Sequence, residues 1–137
     1  MRVDVPGGSL DIDESYLDAT PETVRQQVRE YARGDRHTFD VGVRYPDDFT
    51  GQVMRAMAAI PHGETRTYGD IAAAVDSGAV AVGGGCGRNP IPLVVPCHRV
   101  VAADSIGGFS AAGGAELKQS LLEHEGALDT QTNLERF

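Results

Sequence analysis

Ile91-Pro-Leu-Val-Val-Pro-Cys-His-Arg-Val-Val101 is the stretch on which the reading of this chain turns. Cys97, one of only two cysteines, stands in it between Pro96 and His98, with an apolar run on each side. Pro96 fixes its own φ and pushes Val95 toward an extended conformation. The β-branched pair after Arg99 favours a strand. The pattern predicts that Cys97 is held rigidly at the mouth of a strand, with a titratable ring beside it. A cysteine nucleophile acts as its thiolate, and a neighbouring histidine is one way to lower the thiol pKa. The competing reading is a small buried cysteine, a common fate of the free residue.

Working outward, 137 residues with 41 % hydrophobic content suffice for one modest domain, or a domain with a small appendage. No stretch approaches the ~20 apolar residues of a membrane span. Met1–Leu10 lacks the apolar core of a signal peptide, so a cytoplasmic location is expected. Cys86 and Cys97 make no secreted disulfide framework, and a bridge between them would block thiolate chemistry. The net charge of −8 counts against a nucleic-acid partner, since such proteins are usually basic. Two details offset this. Lys118 is the only lysine, every other basic residue being arginine, and the acids are rich in aspartate. This pattern resembles adaptation to a salt-rich cytoplasm, where at ~1 M salt the Debye length is about 3 Å and distant acids barely repel a phosphate. The charge is also uneven: −5 over residues 1–48, +1 over 49–103 and −4 over 104–137.

Along the chain, residues 1–18 read as polar and irregular with one short strand. Thr20-Pro21-Glu22 reads as N-cap, first helical residue and acidic first turn of a helix that carries Val24, Val28 and Tyr31 inward and stops at Gly34. Phe39, Val41 and Val43 alternate as in a strand. A helix is expected over residues 48–60, with Phe49, Val53, Met54 and Met57 as its apolar stripe. Pro61-His62-Gly63 reads as a turn. Thr67 caps a helix over 68–75, Asp76-Ser77-Gly78 breaks it, and a second short helix over 79–86 follows. Such a pair is either a helix-turn-helix or a tightly packed pair of core helices. Its second member is almost all Ala, Val and Gly, which permits close approach to a flat partner. After a strand over 100–102, Ile106–Phe109 could return as a hairpin. The last helix spans 116–124, with Leu117, Leu121 and Leu122 inward and Gly126 as the stop.

Taken together, Ile60-Pro-His-Gly-Glu-Thr-Arg-Thr-Tyr-Gly-Asp-Ile-Ala72, Ala81-Val-Gly-Gly84, Arg88-Asn-Pro-Ile-Pro92, Pro96-Cys-His-Arg-Val100, Gly107-Gly-Phe-Ser110 and Leu121-Leu-Glu-His-Glu-Gly126 resemble the O6-alkylguanine-DNA alkyltransferase family. They occur in the family's order across roughly residues 38–128. The resemblance implies an α/β fold: a mostly helical, helix-turn-helix or winged-helix-like DNA-binding catalytic domain over 46–137, behind a small, reduced N-terminal cap over 1–45. It implies a flipped nucleotide, because the alkylated oxygen is out of reach inside a duplex. It implies one transfer of the alkyl group to Cys97 and no second turnover. The expected partner is double- or single-stranded DNA carrying O6-alkylguanine, bound by a monomer without a cofactor. The alternative is an alkyltransferase-like lesion-binding protein with little transfer activity. A cysteine hydrolase is disfavoured because neighbouring side chains in an extended chain point to opposite sides.

The resemblance also carries residue roles. Cys97 is the implied nucleophile, His98 its base through a water, and Glu125 the group that orients His98. Asn89 would hold the active-site turn, and Tyr68 would donate to the guanine leaving group. The carbonyls of Cys97 and Val100 would accept from the guanine amino group, the Ser110 amide would face the alkylated oxygen, and Pro92 and Phe109 would wall the pocket. Thr67, Tyr68, Val80, Ala81, Gly84 and Arg88 would face DNA. Taken alone, Arg99 reads as a structural ion pair, His124 as exposed and Cys86 as packing. Two departures stand out. Val80 replaces the arginine that the family usually inserts into the duplex, and Ser110–Gly114 is about two residues longer than usual. No metal is expected, because residues 1–85 contain only His37 and His62 as cysteine or histidine ligands, whereas a zinc site needs about four.

Overall fold

The structure, a computed structural model, describes residues 1–108 and 114–128. Its beginning is more regular than the sequence predicts. Strands β1 (Arg2–Val5) and β2 (Gly8–Asp11) form an antiparallel hairpin with Val3 opposite Leu10. Gly7, at φ +93°, makes the turn. Val3, Val5, Leu10 and Ile12 are buried in alternation with exposed charged or small residues, so the acidic outer face masked a period-two pattern. A single 3-10 turn, Glu14–Tyr16, leads to β3 (Leu17–Asp18), which pairs with β4 (Gly42–Val43). The strand expected around residues 39–43 is reduced to these two residues.

The helices follow their sequence signals closely. Helix α1 (Pro21–Ala32) is capped by Thr20, whose hydroxyl accepts from the Thr23 amide at 3.1 Å, and it buries Val24, Val28 and Tyr31. Gly34, at φ +80°, lets the chain leave it. Helix α2 (Phe49–Ala58) is capped by Asp48, with Val53, Met54 and Met57 fully buried and Phe49 half-buried. Strand β5 (Arg66–Thr67) runs directly into helix α3 (Tyr68–Ala74) through a reciprocal cap. The Thr67 hydroxyl accepts from the Asp70 amide at 3.0 Å, and the Asp70 carboxylate accepts from the Thr67 amide at 2.9 Å. Asp76, at φ +54°, turns the chain into helix α4 (Ala79–Gly87). Only Val82 and Gly85 of α4 are buried, against α2 among others.

Strand β6 (Val100–Val101) pairs in parallel with β5, Arg66 opposite Val100. The hairpin return expected for Ile106–Phe109 is not formed over Ile106–Gly108, where Gly107 turns at φ +75°; Phe109 lies outside the described residues. Helix α5 (Gly114–His124) buries Leu117, Leu121 and Leu122, and Gly126 at φ +76° ends it. The architecture is thus mixed: five helices and three two-stranded sheets among the described residues. One apolar cluster runs from Val3 and Tyr31 through Met54 and Ile91 to Leu121. Among the described residues no helix is long and apolar enough to cross a membrane.

The seating of α2 depends on Gly51, because a Cβ there would overlap the Pro46 carbonyl. Gly51→Ala is therefore expected to destabilise the protein by about 2–3 kcal/mol despite alanine's better helix propensity. Equilibrium denaturation measures this, and a loss below about 0.5 kcal/mol would show that Pro46 does not press on the helix.

Candidate active site

The segment from Arg88 to Arg99 is shaped before it reaches the sulfur. The Asn89 carboxamide donates to the Val95 carbonyl at 2.9 Å and accepts from the Ile91 amide at 3.1 Å, so one side chain ties both ends of the loop. Leu93, at φ +76°, is buried in the left-handed region that bulky residues avoid. Cys97 then opens a 3-10 turn, Cys97–Arg99, immediately before β6. The expectation of a rigidly held cysteine at a strand's mouth therefore holds.

Behind the cysteine lies a buried polar cluster. His98 is fully buried, and its Nε2 lies 2.7 Å from Glu125 Oε2. Arg99 donates from Nε to Glu125 Oε1 at 2.8 Å, from one terminal nitrogen to Oε2 at 3.0 Å, and from the other to the Ile60 carbonyl at 2.7 Å. Tyr31, from α1, donates its hydroxyl to Glu125 Oε2 at 2.6 Å. Burial alone would raise the Glu125 carboxyl, but the bonds from His98, Arg99 and Tyr31 hold it well below the usual carboxylate range. An ionised Glu125 accepts a hydrogen bond from His98 Nε2–H, which leaves Nδ1 as the free lone pair. Nδ1 is also the one buried side-chain nitrogen or oxygen among the described residues without a hydrogen-bond partner. Burial lowers the His98 pKa against the opposing pull of Glu125, so the ring rests neutral.

In front of the cysteine is a cavity of about 1090 Å³. That is at the upper end of the ~300–1,000 Å³ typical of small-molecule sites, roomy enough for a nucleoside. Tyr68, Asn89, Pro92, Cys97 and Gly108 line it, with Gly83 and Cys86 of α4. Asp11, Asp13 and Glu14 line it too, so acids from a stretch that reads only as polar and irregular stand at the cavity. Burial pushes the Cys97 thiol up to about 11, against the opposing pulls of Asn89 and Lys118. The sequence suggested a thiol lowered by its neighbour; the structure shows a protonated thiol at rest, because desolvation outweighs those pulls. Burial also raises Tyr68, which keeps it a phenol and a donor. A neutral thiol and a phenol at one cavity, with an imidazole that keeps a free nitrogen next to the thiol in sequence, have the chemistry to move an electrophilic carbon from an oxygen to sulfur.

The sequence profile of the family described as "6-O-methylguanine DNA methyltransferase, DNA binding domain" matches residues 48–127. The chain belongs to this family. The methylated-DNA–protein-cysteine methyltransferase of Methanopyrus kandleri is 38 % identical to it over 96 % of this chain and 98 % of that relative. The protein of the same name from Archaeoglobus fulgidus is 39 % identical, over 82 % of this chain and 79 % of that relative. The crystal structure of Mycobacterium tuberculosis OGT in complex with DNA superposes with a TM-score of 0.77 at 31 % identity, covering 98 % of this chain and 97 % of that one.

Within the fold of this methyltransferase family, the residues singled out from the sequence fall into four groups. Cys97, His98, Glu125, Asn89, Tyr68 and Pro92 converge on the cavity or directly behind it. Thr67, Val80, Ala81, Gly84 and Arg88 lie on or beside α3 and α4, and Val80 is 92 % exposed. Arg88 folds back, donating from Nε to the Thr50 hydroxyl at 2.9 Å. Val100 is buried outside the cavity lining, and its carbonyl already accepts from Lys118. Phe109 and Ser110 lie outside the described residues. Arg99 forms the structural ion pair expected of it. His124 is not exposed: it is half-buried and its Nε2 donates to the Tyr31 carbonyl at 2.7 Å. Cys86 and Cys97 are both free thiols, and Cys86 packs its sulfur 3.5 Å from that of Met57. Among the described residues no group of three or more His, Cys, Asp or Glu is placed to hold a metal ion.

Two residues escaped sequence reasoning. Lys118 is fully buried, donates to the carbonyls of Val100 at 2.6 Å and Gly108 at 3.0 Å, and sits 5.6 Å from the Tyr68 ring centroid. Burial brings its pKa down to about 8. The signal was available, since the chain's one lysine falls on the apolar stripe of α5 beside Leu117, Leu121 and Leu122. Tyr31 read only as core, because nothing local to α1 shows that its hydroxyl meets a carboxylate 94 residues away.

Iodoacetamide modification of Cys97, followed by peptide mass, should accelerate with pH up to about 11, well above the ~8.5 of a free thiol. A midpoint below about 8 would show a thiolate already formed in the resting protein.

Proposed function

We propose that this protein repairs DNA by direct, single-turnover transfer of the alkyl group of an O6-alkylguanine to the Cys97 sulfur. The observation that carries the reading is the buried His98: Glu125 holds one nitrogen, the other is unpartnered, and the adjoining cysteine opens onto a nucleoside-sized cavity. In this reading the Cys97 proton passes through a water to His98 Nδ1. The sulfur then displaces the guanine O6 from the alkyl carbon, so a C–S bond forms as the C–O bond breaks. The electron pair left on the purine is met by a proton or hydrogen bond from Tyr68. The thioether is stable, so the protein is consumed. Asn89 keeps the turn closed, and Pro92 forms an apolar wall. The Cys97 and Val100 carbonyls remain candidate acceptors for the guanine amino group, Val100 with its second lone pair. Phe109 and the Ser110 amide keep the roles the family resemblance implies.

The DNA partner is read onto the α3–α4 pair as a helix-turn-helix or winged-helix-like element. Its outer face of Val80, Ala81, Gly83 and Gly84 carries no acid, and only Val80 projects from it. The boundary between a cap over 1–45 and a catalytic domain over 46–137, a monomeric state and a cytoplasmic location belong to the same reading. The alternative of a lesion-binding protein with little transfer draws its support from Val80, which can fill stacking space but cannot hydrogen-bond an orphaned base.

Incubation with an oligonucleotide containing O6-methylguanine, at low and high salt, should add one methyl group per protein to the peptide containing Cys97. Cys97→Ala should abolish the gain while still binding the oligonucleotide. Binding without any methyl gain in the wild type would establish the lesion-binding alternative instead.

Val80 should also cost duplex activity. Repair rates on single- and double-stranded substrates should be similar in the wild type, and Val80→Arg should raise the duplex rate several-fold while leaving the single-stranded rate alone. A strong duplex preference in the wild type would refute the deficit.

A further inference from the structure

We propose that Tyr31 is a positioning residue for alkyl transfer, its phenolic O–H locking the Glu125 carboxylate that orients His98. The inference rests on the functional reading above, and it assigns to the N-terminal part of the chain a piece of the relay behind Cys97.

A buried tyrosine hydroxyl usually finds some acceptor, so the choice of acceptor is what matters here. Tyr31 is fully buried and donates its O–H hydrogen bond to Oε2 of Glu125, the same oxygen that faces His98 Nε2. Tyr31 cannot act as the acceptor in this pair, because burial and the Glu125 charge both push its own ionisation upward. A buried carboxylate short of donors pulls harder on the donor that remains, His98 Nε2–H. That pull favours the imidazolium, which carries a proton on Nδ1, the atom that must stay free. Tyr31 and Arg99 together disperse the carboxylate charge and keep the group from rotating. They therefore decide whether His98 Nδ1 stays free.

The tyrosine is itself held in place. His124 donates to its carbonyl at 2.7 Å, and the rings of His124 and Phe39 lie 5.0 and 5.8 Å from its own. His62, stacked on His37 at 3.9 Å, meets it edge-on at 6.3 Å. The charged and titratable groups around the His98–Glu125 pair are thus Tyr31 from α1, Cys97 and Arg99 from the active-site turn, Lys118 and His124 from α5, and His62 with His37 from the loops. Of these, Tyr31 and Arg99 donate directly to the Glu125 carboxylate alongside His98, Arg99 as a cation and Tyr31 as a neutral phenol.

Tyr31→Phe removes one donor and leaves the carboxylate charge less dispersed. The charge then favours a protonated His98, which can no longer accept the Cys97 proton. The acidic limb of single-turnover methyl transfer should therefore move to higher pH, by at least about 0.5 unit, with the same shift in the His98 ring titration followed by ¹⁵N NMR. Phe39→Leu loosens the packing around the same ring but spares the hydroxyl, so it should lower Tm without moving the limb. If Tyr31→Phe does not fold, 3-fluorotyrosine placed at position 31 replaces it. That nearly isosteric phenol donates more strongly and should move the limb to lower pH. A folded variant whose limb and His98 titration both match the wild type overturns the proposal. A wild type that transfers no methyl group at any pH overturns the functional reading instead, while the NMR titration still reports on Tyr31.

Discussion

The Glu125 carboxylate is the charge around which this structure is arranged. It is buried, and a carboxylate taken out of water is expensive unless hydrogen bonds replace its hydration. Here the replacements come from two separate parts of the chain, Tyr31 on α1 and His98 with Arg99 on the turn before β6, and they meet a glutamate just past the end of α5. Arg99 cancels the charge, and its remaining nitrogen satisfies the Ile60 carbonyl at the end of α2. Losing any one donor would leave a buried acceptor short of partners, which couples elements that share little backbone contact.

That arrangement explains how a histidine can serve a cysteine next to it in sequence without touching it directly. His98 is anchored backward, into the core, while Cys97 looks forward into the cavity. The same burial that keeps the imidazole neutral keeps the thiol protonated. Thiol and imidazole thus both rest uncharged in a low-dielectric site. In the proposed mechanism a proton moves only when an electrophilic carbon is in place, which protects a single-use sulfur from idle oxidation or alkylation.

Charge at larger scale follows a similar division. The chain is strongly acidic, yet the exposed side of α4 consists of Val80, Ala81 and small residues, and Arg88 is drawn back against Thr50. Asp11, Asp13 and Glu14 line the cavity instead. A polyanion approaching from the α4 side therefore meets little local repulsion, and in concentrated salt the acidic wall is screened within a few ångströms, about 3 Å at 1 M.

The sequence by itself determined the local features, because their causes are local. Thr20-Pro21, Asp48 and the Thr67–Asp70 pair announce their helices through backbone donors that only nearby side chains can reach, and the apolar stripes of α1, α2 and α5 follow from a 3.6-residue period. The run around Cys97 pointed to a constrained cysteine beside a histidine, and the resemblance of the motifs to the alkyltransferase family added the glutamate. Tertiary structure decided what depends on distant partners. It made β1 and β2 a hairpin where an acidic face hid the alternation, and paired β6 with β5 rather than with Ile106–Gly108. It turned His124 inward, sank the chain's one lysine beneath Tyr68, and brought the Tyr31 hydroxyl to Glu125. It also set the resting protonation of Cys97, since a thiol's ionisation depends on how much water the fold removes, a property that no pair of neighbouring residues contains.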